Sequence, residues 1–203
     1  MLDTFKKATP EALAIIKEEM GVRRTEEVFL LFALGCLFDH LIFQALAKLG
    51  VFCLVADPAS VTAQDVEMLK PIGIILSGGP ASVHSEPPLF DSKIFDLGIP
   101  VLGICLGFQM WAKHVGIPVS AAQEKEFGVH TMKVRSFEKL FRRCSAEMPV
   151  LQSHGNRIEA HEGKMWLQRV YGHTENAVAA GSWRHLHGVQ FHPEVSDTVE
   201  GQQ

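Results

Sequence analysis

The sequence lacks several features that would assign the protein to particular functional classes. Its 203 residues include 19 Lys and Arg against 23 Asp and Glu, a formal net charge of −4, so it has no excess of basic residues of the kind that nucleic-acid binding requires. No apolar run reaches transmembrane length without interruption. The N-terminal residues lack the apolar stretch and cleavage site of a signal peptide. We therefore expect a soluble, cytoplasmic protein that binds neither nucleic acid nor membranes.

Cysteine is also scarce, and its spacing is uninformative for metals. Cys36, Cys53, Cys105 and Cys144 form no CxxC pair, which argues against a zinc site or a redox pair. Three of them have the surroundings of ordinary small apolar residues, whereas Cys105 lies between two glycines. We predict no metal site in this chain.

The chain is long enough for one domain with a full hydrophobic core. Hydrophobic residues make up 47% of it, and its length is too small for two domains of ordinary size. Residues 10–20 predict a short amphipathic helix, with Thr9 as N-cap and Pro10 as the first helical residue. We interpret residues 1–26 as an N-terminal helical extension and residues 27–203 as the main domain.

Strand and helix patterns alternate through the first half of the main domain. Strands are predicted over residues 28–34, 51–56, 72–76 and 99–104, and helices over residues 40–49, 65–70, 89–97 and 106–115. This order predicts an α/β fold with an open, mostly parallel central sheet and helices on both faces. Shorter strands in the second half predict a smaller antiparallel region, over residues 129–135, 148–152, 165–171, 177–182 and 186–191.

Residues 103–109, Gly-Ile-Cys-Leu-Gly-Phe-Gln, have the form of a nucleophile elbow. In such an elbow the nucleophile, here Cys105, sits on a tight turn between a strand and a helix. The dipole of the following helix would favour the thiolate, and the N–H of Leu106 would be one oxyanion donor. The alternative is a buried cysteine between two convenient glycines.

Residues 188–195, Gly-Val-Gln-Phe-His-Pro-Glu-Val, begin within the last predicted strand and continue past its end, where His192 and Glu194 lie. A histidine is the usual base for a cysteine nucleophile, and an acidic residue orients its imidazole. We therefore predict that His192 and Glu194 complete a catalytic set with Cys105. The alternative is a histidine at a strand end beside an exposed acid.

Two further features fall near the same edge of the predicted sheet, where ligands bind in such folds. Residues 77–80, Ser-Gly-Gly-Pro, follow the third strand, and their glycines permit a backbone that turns N–H groups toward a bound carbonyl. We assign the Gly79 N–H as the second oxyanion donor, although an ordinary glycine turn is the alternative. Gln109 lies one helical turn after Cys105, on the same helix face, where it could contact substrate.

Together these segments resemble the class I (triad) glutamine amidotransferases. The resemblance covers roughly residues 28–200, and within the family it points to the glutaminase domains of GMP synthases, through residues 77–83, 126–128 and 153–155. It implies a flavodoxin-like sheet and substrate contacts from Ser153 and His154. The chain departs from the family at residues 33–37, Ala-Leu-Gly-Cys-Leu, where an acidic residue and a Gly-Ser-Gln-like turn are usual.

The resemblance also implies a reaction and a partner. Glutamine would be hydrolysed through a cysteine thioester without metal or organic cofactor. The ammonia would pass to an ATP-pyrophosphatase synthetase, which alone would use ATP and Mg²⁺. Two other functions remain open: a γ-glutamyl peptide hydrolase with the same catalytic residues, and a non-catalytic regulatory module that binds a synthetase.

Overall fold

The computed structural model describes residues 4–134, 139–159, 166–169 and 178–201. In chain order the helices and strands are α1 (Pro10–Arg23), β1 (Phe29–Phe32), α2 (Asp39–Lys48), β2 (Cys53–Ala56), α3 (Ala63–Leu69), β3 (Gly73–Leu76), a 3₁₀ helix (Ser92–Asp96), β4 (Val101–Ile104), α4 (Leu106–His114), β5 (Val119–Lys133), a second 3₁₀ helix (Lys139–Phe141), β6 (Glu147–Ile158), β7 (Trp166–Arg169), β8 (Val178–Trp183) and β9 (Leu186–Val189). Within the described ranges, no helix has both the length and the apolar character needed to cross a bilayer.

A seven-stranded sheet, in the order β2-β1-β3-β4-β9-β8-β7, forms the centre of the fold. The neighbouring pairs from β2 to β9 are parallel, and β8 pairs antiparallel with both β9 and β7. Strands β5 and β6 form a separate antiparallel ribbon. The predicted α/β class, with its mostly parallel sheet and smaller antiparallel region, is confirmed.

The hydrophobic core lies on both faces of the sheet, because successive side chains of a strand point to opposite sides. Leu30 and Phe32 of β1 join a cluster that includes Trp111 of α4. Leu31, between them, joins a second cluster that includes Ile42 of α2. Helices therefore cover both faces of the sheet, as the sequence predicts.

The N-terminal segment is attached to this core by specific contacts. Helix α1 begins after Thr9, whose hydroxyl accepts a hydrogen bond from the Ala12 N–H, so the predicted cap is confirmed. The Ala8 N–H donates to Asp65 Oδ1 at 2.9 Å, and Phe5 forms a parallel bridge with the edge strand β2. The proposed domain boundary after residue 26 remains a prediction.

The helix predicted over residues 89–97 is wrong. Only the 3₁₀ helix Ser92–Asp96 forms there, because Asp91 is extended and acts as its N-cap. One carboxylate oxygen of Asp91 accepts from the Lys93 N–H, and the other accepts from the Ala63 N–H at the start of α3. This link between two elements fixes an extended residue where the prediction required a helical one.

The strands of the ribbon are longer than predicted. The predictions over residues 129–135 and 148–152 match parts of β5 and β6, which span 15 and 12 residues, while residue 135 lies outside the described ranges. The first half of β5 reads Val-Ser-Ala-Ala-Gln-Glu-Lys-Glu, without the alternation of a half-buried strand. The predicted strands over residues 165–171 and 177–182 match β7 and β8, while residues 165, 170, 171 and 177 lie outside the described ranges.

Candidate active site

The loops after β1, β3, β4 and β9 meet at one edge of the sheet, because the carboxyl ends of parallel strands lie together. A cleft of about 890 Å³ opens at this edge. Seven residues that the sequence singles out line it: Gly79, Cys105, Leu106, Gln109, Ser153, His154 and His192. The eighth, Glu194, lies behind His192. The fold therefore brings together residues that are far apart in the chain.

Cys105 occupies a strained turn between β4 and α4. Its φ of 49° and ψ of −102° are rare for a residue with a Cβ atom. Its N–H donates to the Val189 carbonyl at 2.8 Å, and its own carbonyl accepts from the Gln109 N–H at 3.1 Å. The backbone on both sides thus fixes the conformation of the predicted nucleophile elbow.

The Cys105 sulfur is buried but has polar neighbours. Gln190 Nε2 donates to it at 3.6 Å, and the thiol lies 3.8 Å from the Ser153 carbonyl oxygen. Gln109 Nε2 in turn donates to Gln190 Oε1 at 3.2 Å and lies 3.4 Å from the Asn156 carbonyl. Gln109 therefore orients the side chain of Gln190 in this structure. The predicted contact of Gln109 with substrate remains a prediction.

His192 and Glu194 form a buried pair. The Nδ1 atom of His192 lies 2.7 Å from Glu194 Oε1, and the two side chains are 5% and 2% exposed. A carboxylate at Nδ1 fixes the proton on that nitrogen when the ring is neutral, which leaves Nε2 for a reacting group. The ring of Phe38 contacts the imidazole edge-on, with 5.9 Å between ring centroids.

The surroundings of His192 favour its protonated form. Burial alone would lower the pKa of His192, but hydrogen bonds to the sulfurs of Cys105 and Cys36 and to the Glu194 carboxylate outweigh it and raise this pKa far above its ordinary value. The negative charge of a Cys105 thiolate acts in the same direction. These contacts therefore favour the imidazolium, the form that can donate a proton.

The backbone of His192 is held from the β5–β6 ribbon. Its N–H donates to the Leu151 carbonyl at 3.0 Å, and its carbonyl accepts from the Thr198 hydroxyl at 2.6 Å. The same hydroxyl accepts from the Leu151 N–H at 3.0 Å. Thr198 was not predicted, and no sequence pattern marks it, whereas Gln190 could have been found from its place two residues before His192.

Cys36 also belongs to this site, so the expectation that it is an ordinary apolar residue is wrong. It lines the cleft, its sulfur lies within 4.8 Å of a His192 ring nitrogen, and the same sulfur accepts from the Phe38 N–H at 3.4 Å. Cys36 lies in the turn after β1 where the sequence departs from the family pattern. That departure was the available signal.

The remaining predicted residues lie close to the elbow. A Cβ atom built on Gly79 would lie 2.9 Å from the Leu106 side chain and 2.3 Å from the Leu34 carbonyl oxygen, so only glycine fits between these loops. His154 Nε2 lies 2.9 Å from Gln152 Oε1 and 3.2 Å from Glu126 Oε2. The oxyanion roles of Gly79 and Leu106 and the substrate contacts of Ser153 and His154 remain predictions.

We expect Glu194→Gln to lower the pKa of His192, because an amide cannot stabilise the imidazolium as a carboxylate does. A neighbouring opposite charge typically contributes about 1 to 3 pH units, so the titration midpoint should fall by about that much. The measurement is the pH dependence of the His192 ring resonances by NMR. Asp96→Asn is the matched control. It removes a carboxylate that lies 3.0 Å from a different histidine, His114, and should leave the titration midpoint of His192 unchanged. Equal midpoints in Glu194→Gln and the wild type would contradict the assignment.

Comparison with known proteins identifies the family. Residues 32–203 match the family model for glutamine amidotransferase class-I. The chain is 37% identical over 178 residues to a GMP synthase [glutamine-hydrolyzing] from Lactococcus lactis subsp. cremoris, and 34% identical over 187 residues to one from Streptococcus uberis. These matches cover 87% and 90% of this chain but only 34% and 36% of the relatives. The chain thus spans about a third of the length of these curated relatives.

Solved structures agree with this result. The crystal structure of a Thermoplasma acidophilum protein, provisionally assigned as one of the subunits of GMP synthase, matches with a TM-score of 0.76 and 26% identity, over 87% of this chain and 88% of that one. A glutamine amidotransferase from Thermotoga maritima shares the fold, with a TM-score of 0.67 at 21% identity over 83% of this chain and 76% of that one. The resemblance found in the sequence is confirmed: the chain belongs to the class I glutamine amidotransferase family.

Proposed function

We propose that this chain hydrolyses glutamine to glutamate and ammonia through a thioester on Cys105. The observation that carries the proposal is the position of Cys105, on a strained elbow that faces the buried His192–Glu194 pair. A thiol beside a histidine that a carboxylate orients is the arrangement of a cysteine nucleophile with its acid–base partner. Membership of the glutamine amidotransferase family indicates that the bond to be broken is the side-chain amide bond of glutamine.

The reaction divides into two steps at the same carbon. The Cys105 thiolate attacks the side-chain carboxamide of glutamine, with the N–H groups of Gly79 and Leu106 as the predicted donors to the oxyanion. Protonated His192 gives its proton to the leaving nitrogen, so ammonia departs and the thioester remains. Water then attacks the thioester, and its proton returns to His192. The hydrolysis as written requires no metal or organic cofactor.

The electrostatics of His192 suit both of its roles. Before acylation, the Cys105 thiolate helps to hold the imidazole protonated, as a general acid requires. Formation of the thioester removes that negative charge, so the pKa of His192 falls and the neutral imidazole becomes an effective base for water. Glu194 keeps the ring in the correct orientation throughout.

We further propose that the ammonia is delivered to an ATP-pyrophosphatase synthetase, present as a further domain or as a separate protein. The chain matches only about a third of the length of its GMP synthase relatives. The family resemblance implies amination of XMP by such a partner. Two large apolar side chains at the cleft, Leu37 and Phe127, are 86% and 61% exposed. Exposed apolar groups beside a site support a partner that covers them. ATP and Mg²⁺ would be needed only on that partner.

Ammonia release from glutamine tests this function directly. We expect turnover of glutamine, and an increase of at least about tenfold, equivalent to about 1.4 kcal/mol, when the ATP-pyrophosphatase subunit of a GMP synthase is added with ATP, Mg²⁺ and XMP. The reason is that a partner can select the competent arrangement of a glycine loop such as residues 77–80. Cys105→Ala with the same partner is the control for contaminating glutaminase.

The alternatives have distinct outcomes in the same assay. Faster turnover of a γ-glutamyl peptide than of glutamine, unchanged by the synthetase, would instead support a γ-glutamyl peptide hydrolase. No turnover with or without the partner, together with no labelling of Cys105 by a glutamine-analogue electrophile, would indicate a non-catalytic module.

A further inference from the structure

A second thiol shares the histidine of the candidate active site. One ligand atom from each of Cys36, His192 and Glu194 lies within 4.8 Å of the other two. Thiolate, imidazole and carboxylate are the three groups that bind Zn²⁺ in proteins, at about 2.0 to 2.3 Å. Tetrahedral ligands at that distance are about 3.5 Å apart, so modest side-chain movements would bring the three atoms to a common ion.

One carboxylate oxygen of this cluster lacks a partner. In the described part of the chain, Glu194 Oε2 is buried and has no hydrogen-bond donor, and the Glu194 side chain is only 2% exposed. The Asp39 carboxyl lies nearby. Buried carboxylate oxygens normally have donors or bind cations. The two carboxyl groups also repel each other electrostatically. An unpartnered negative oxygen next to a thiol and an imidazole favours a cation at this position.

From this geometry we propose that Cys36, His192 and Glu194 form a binding site for a thiophilic divalent cation such as Zn²⁺. Asp39 adds negative charge beside it. Cys36 makes the site selective, because a thiolate prefers Zn²⁺ or Co²⁺ to Mg²⁺, which takes oxygen ligands. The sequence predicts no metal site because the ligands lie in two distant loops without CxxC spacing.

The site is inhibitory, because it uses the same imidazole as the proposed reaction. A metal ion on His192 takes the place of a ring proton, so the imidazole can no longer alternate between its protonated and neutral forms as hydrolysis requires. Binding of Zn²⁺ and turnover of glutamine then exclude each other, and a chelator restores activity. This consequence rests on the proposed function, whereas metal binding itself does not.

Cobalt binding to Cys105→Ala tests the site without the catalytic thiol. Titration with Co²⁺ should produce the near-ultraviolet absorption of a thiolate–cobalt bond, and Zn²⁺ should displace it. Adding Cys36→Ser should abolish the band and weaken binding at least about tenfold, the scale of losing one metal contact. Adding Cys144→Ser, which alters a thiol outside the cluster, should change neither. Mg²⁺ should not compete.

Three results would overturn the proposal: no band in Cys105→Ala, a band that persists after Cys36→Ser, or equal affinity in both proteins. Alkylation provides a second measurement if Cys36→Ser does not fold. Zn²⁺ should then protect Cys36 of the folded Cys105→Ala protein from iodoacetamide, as read by peptide mass. Alkylation of Cys36 at the same rate with and without Zn²⁺ would also overturn it. Both tests hold whether or not the chain hydrolyses glutamine.

Discussion

Replacing Cys105 with Ala should reduce ammonia release from glutamine by at least about 10⁴-fold, the scale seen when a catalytic nucleophile is removed. No other group at the elbow can form the thioester. The fold should remain, because the change removes a single sulfur and should cost about 1 kcal/mol of unfolding free energy. Steady-state assays and thermal unfolding of the same preparation measure the two effects.

Cys144→Ala is the matched control, since it makes the same chemical change at a half-buried cysteine that packs against the second core cluster. It should leave turnover within about twofold of the wild type, because surface and core-edge changes away from the site act weakly. Ammonia release that survives in Cys105→Ala but falls in Cys144→Ala would refute the assignment of the nucleophile.

The second large effect is expected from Gly103→Ala, one residue before the end of β4. A Cβ atom there would lie 2.5 Å from the Gly107 carbonyl carbon, 2.5 Å from the Phe108 nitrogen and 2.6 Å from the Gly107 carbonyl oxygen. All three are backbone atoms of α4, so the helix must move away from the strand. We expect a loss of about 2 to 3 kcal/mol in unfolding free energy, the upper range for overpacking, measured by urea denaturation.

Gly21→Ala is the corresponding control, because it makes the identical change in a helix. Outside the backbone of its own helix and its two chain neighbours, no atom lies within 4 Å of a Cβ built on Gly21, and alanine favours a helical backbone over glycine by about 0.5 to 1 kcal/mol. Gly21→Ala should therefore stabilise the protein slightly while Gly103→Ala destabilises it. If both substitutions changed the unfolding free energy in the same direction, close packing of α4 on β4 would not explain why residue 103 is a glycine.

Most of the parallel half of the fold could be predicted from the sequence, because its signals are local. Buried strands leave clear patterns within a few positions, and so do helix ends such as that of α2, which is followed by Gly50 with positive φ. The helix predicted over residues 89–97 failed because a contact from Asp91 to the distant α3 decides the backbone there. The start of β5 was missed because its pairing with β6 outweighs a polar sequence.

The candidate site divides in the same way. Cys105, His192 and Glu194 could be found because each lies in a short segment with a recognisable motif. Gln190 and Cys36 act through contacts between loops, and the sequence offers only indirect signals for them: the position of Gln190 two residues before His192, and the departure from the family pattern at Cys36. No pattern marks Thr198. The Thr198 hydroxyl in particular donates to the backbone carbonyl of His192. The role of the Thr198 side chain could therefore be recognised only from the folded structure.

The place of β9 in the sheet governs the order in which the protein can fold. This strand is the last one among the described residues, yet it lies between β4 and β8, with Leu186 paired to Val101. Parallel pairing over such a sequence separation closes a long loop and is therefore a slow step. Because Cys105 follows β4 and His192 follows β9, nucleophile and base meet only when this pairing is complete. A chain that has folded through β4 alone holds the thiol without its imidazole.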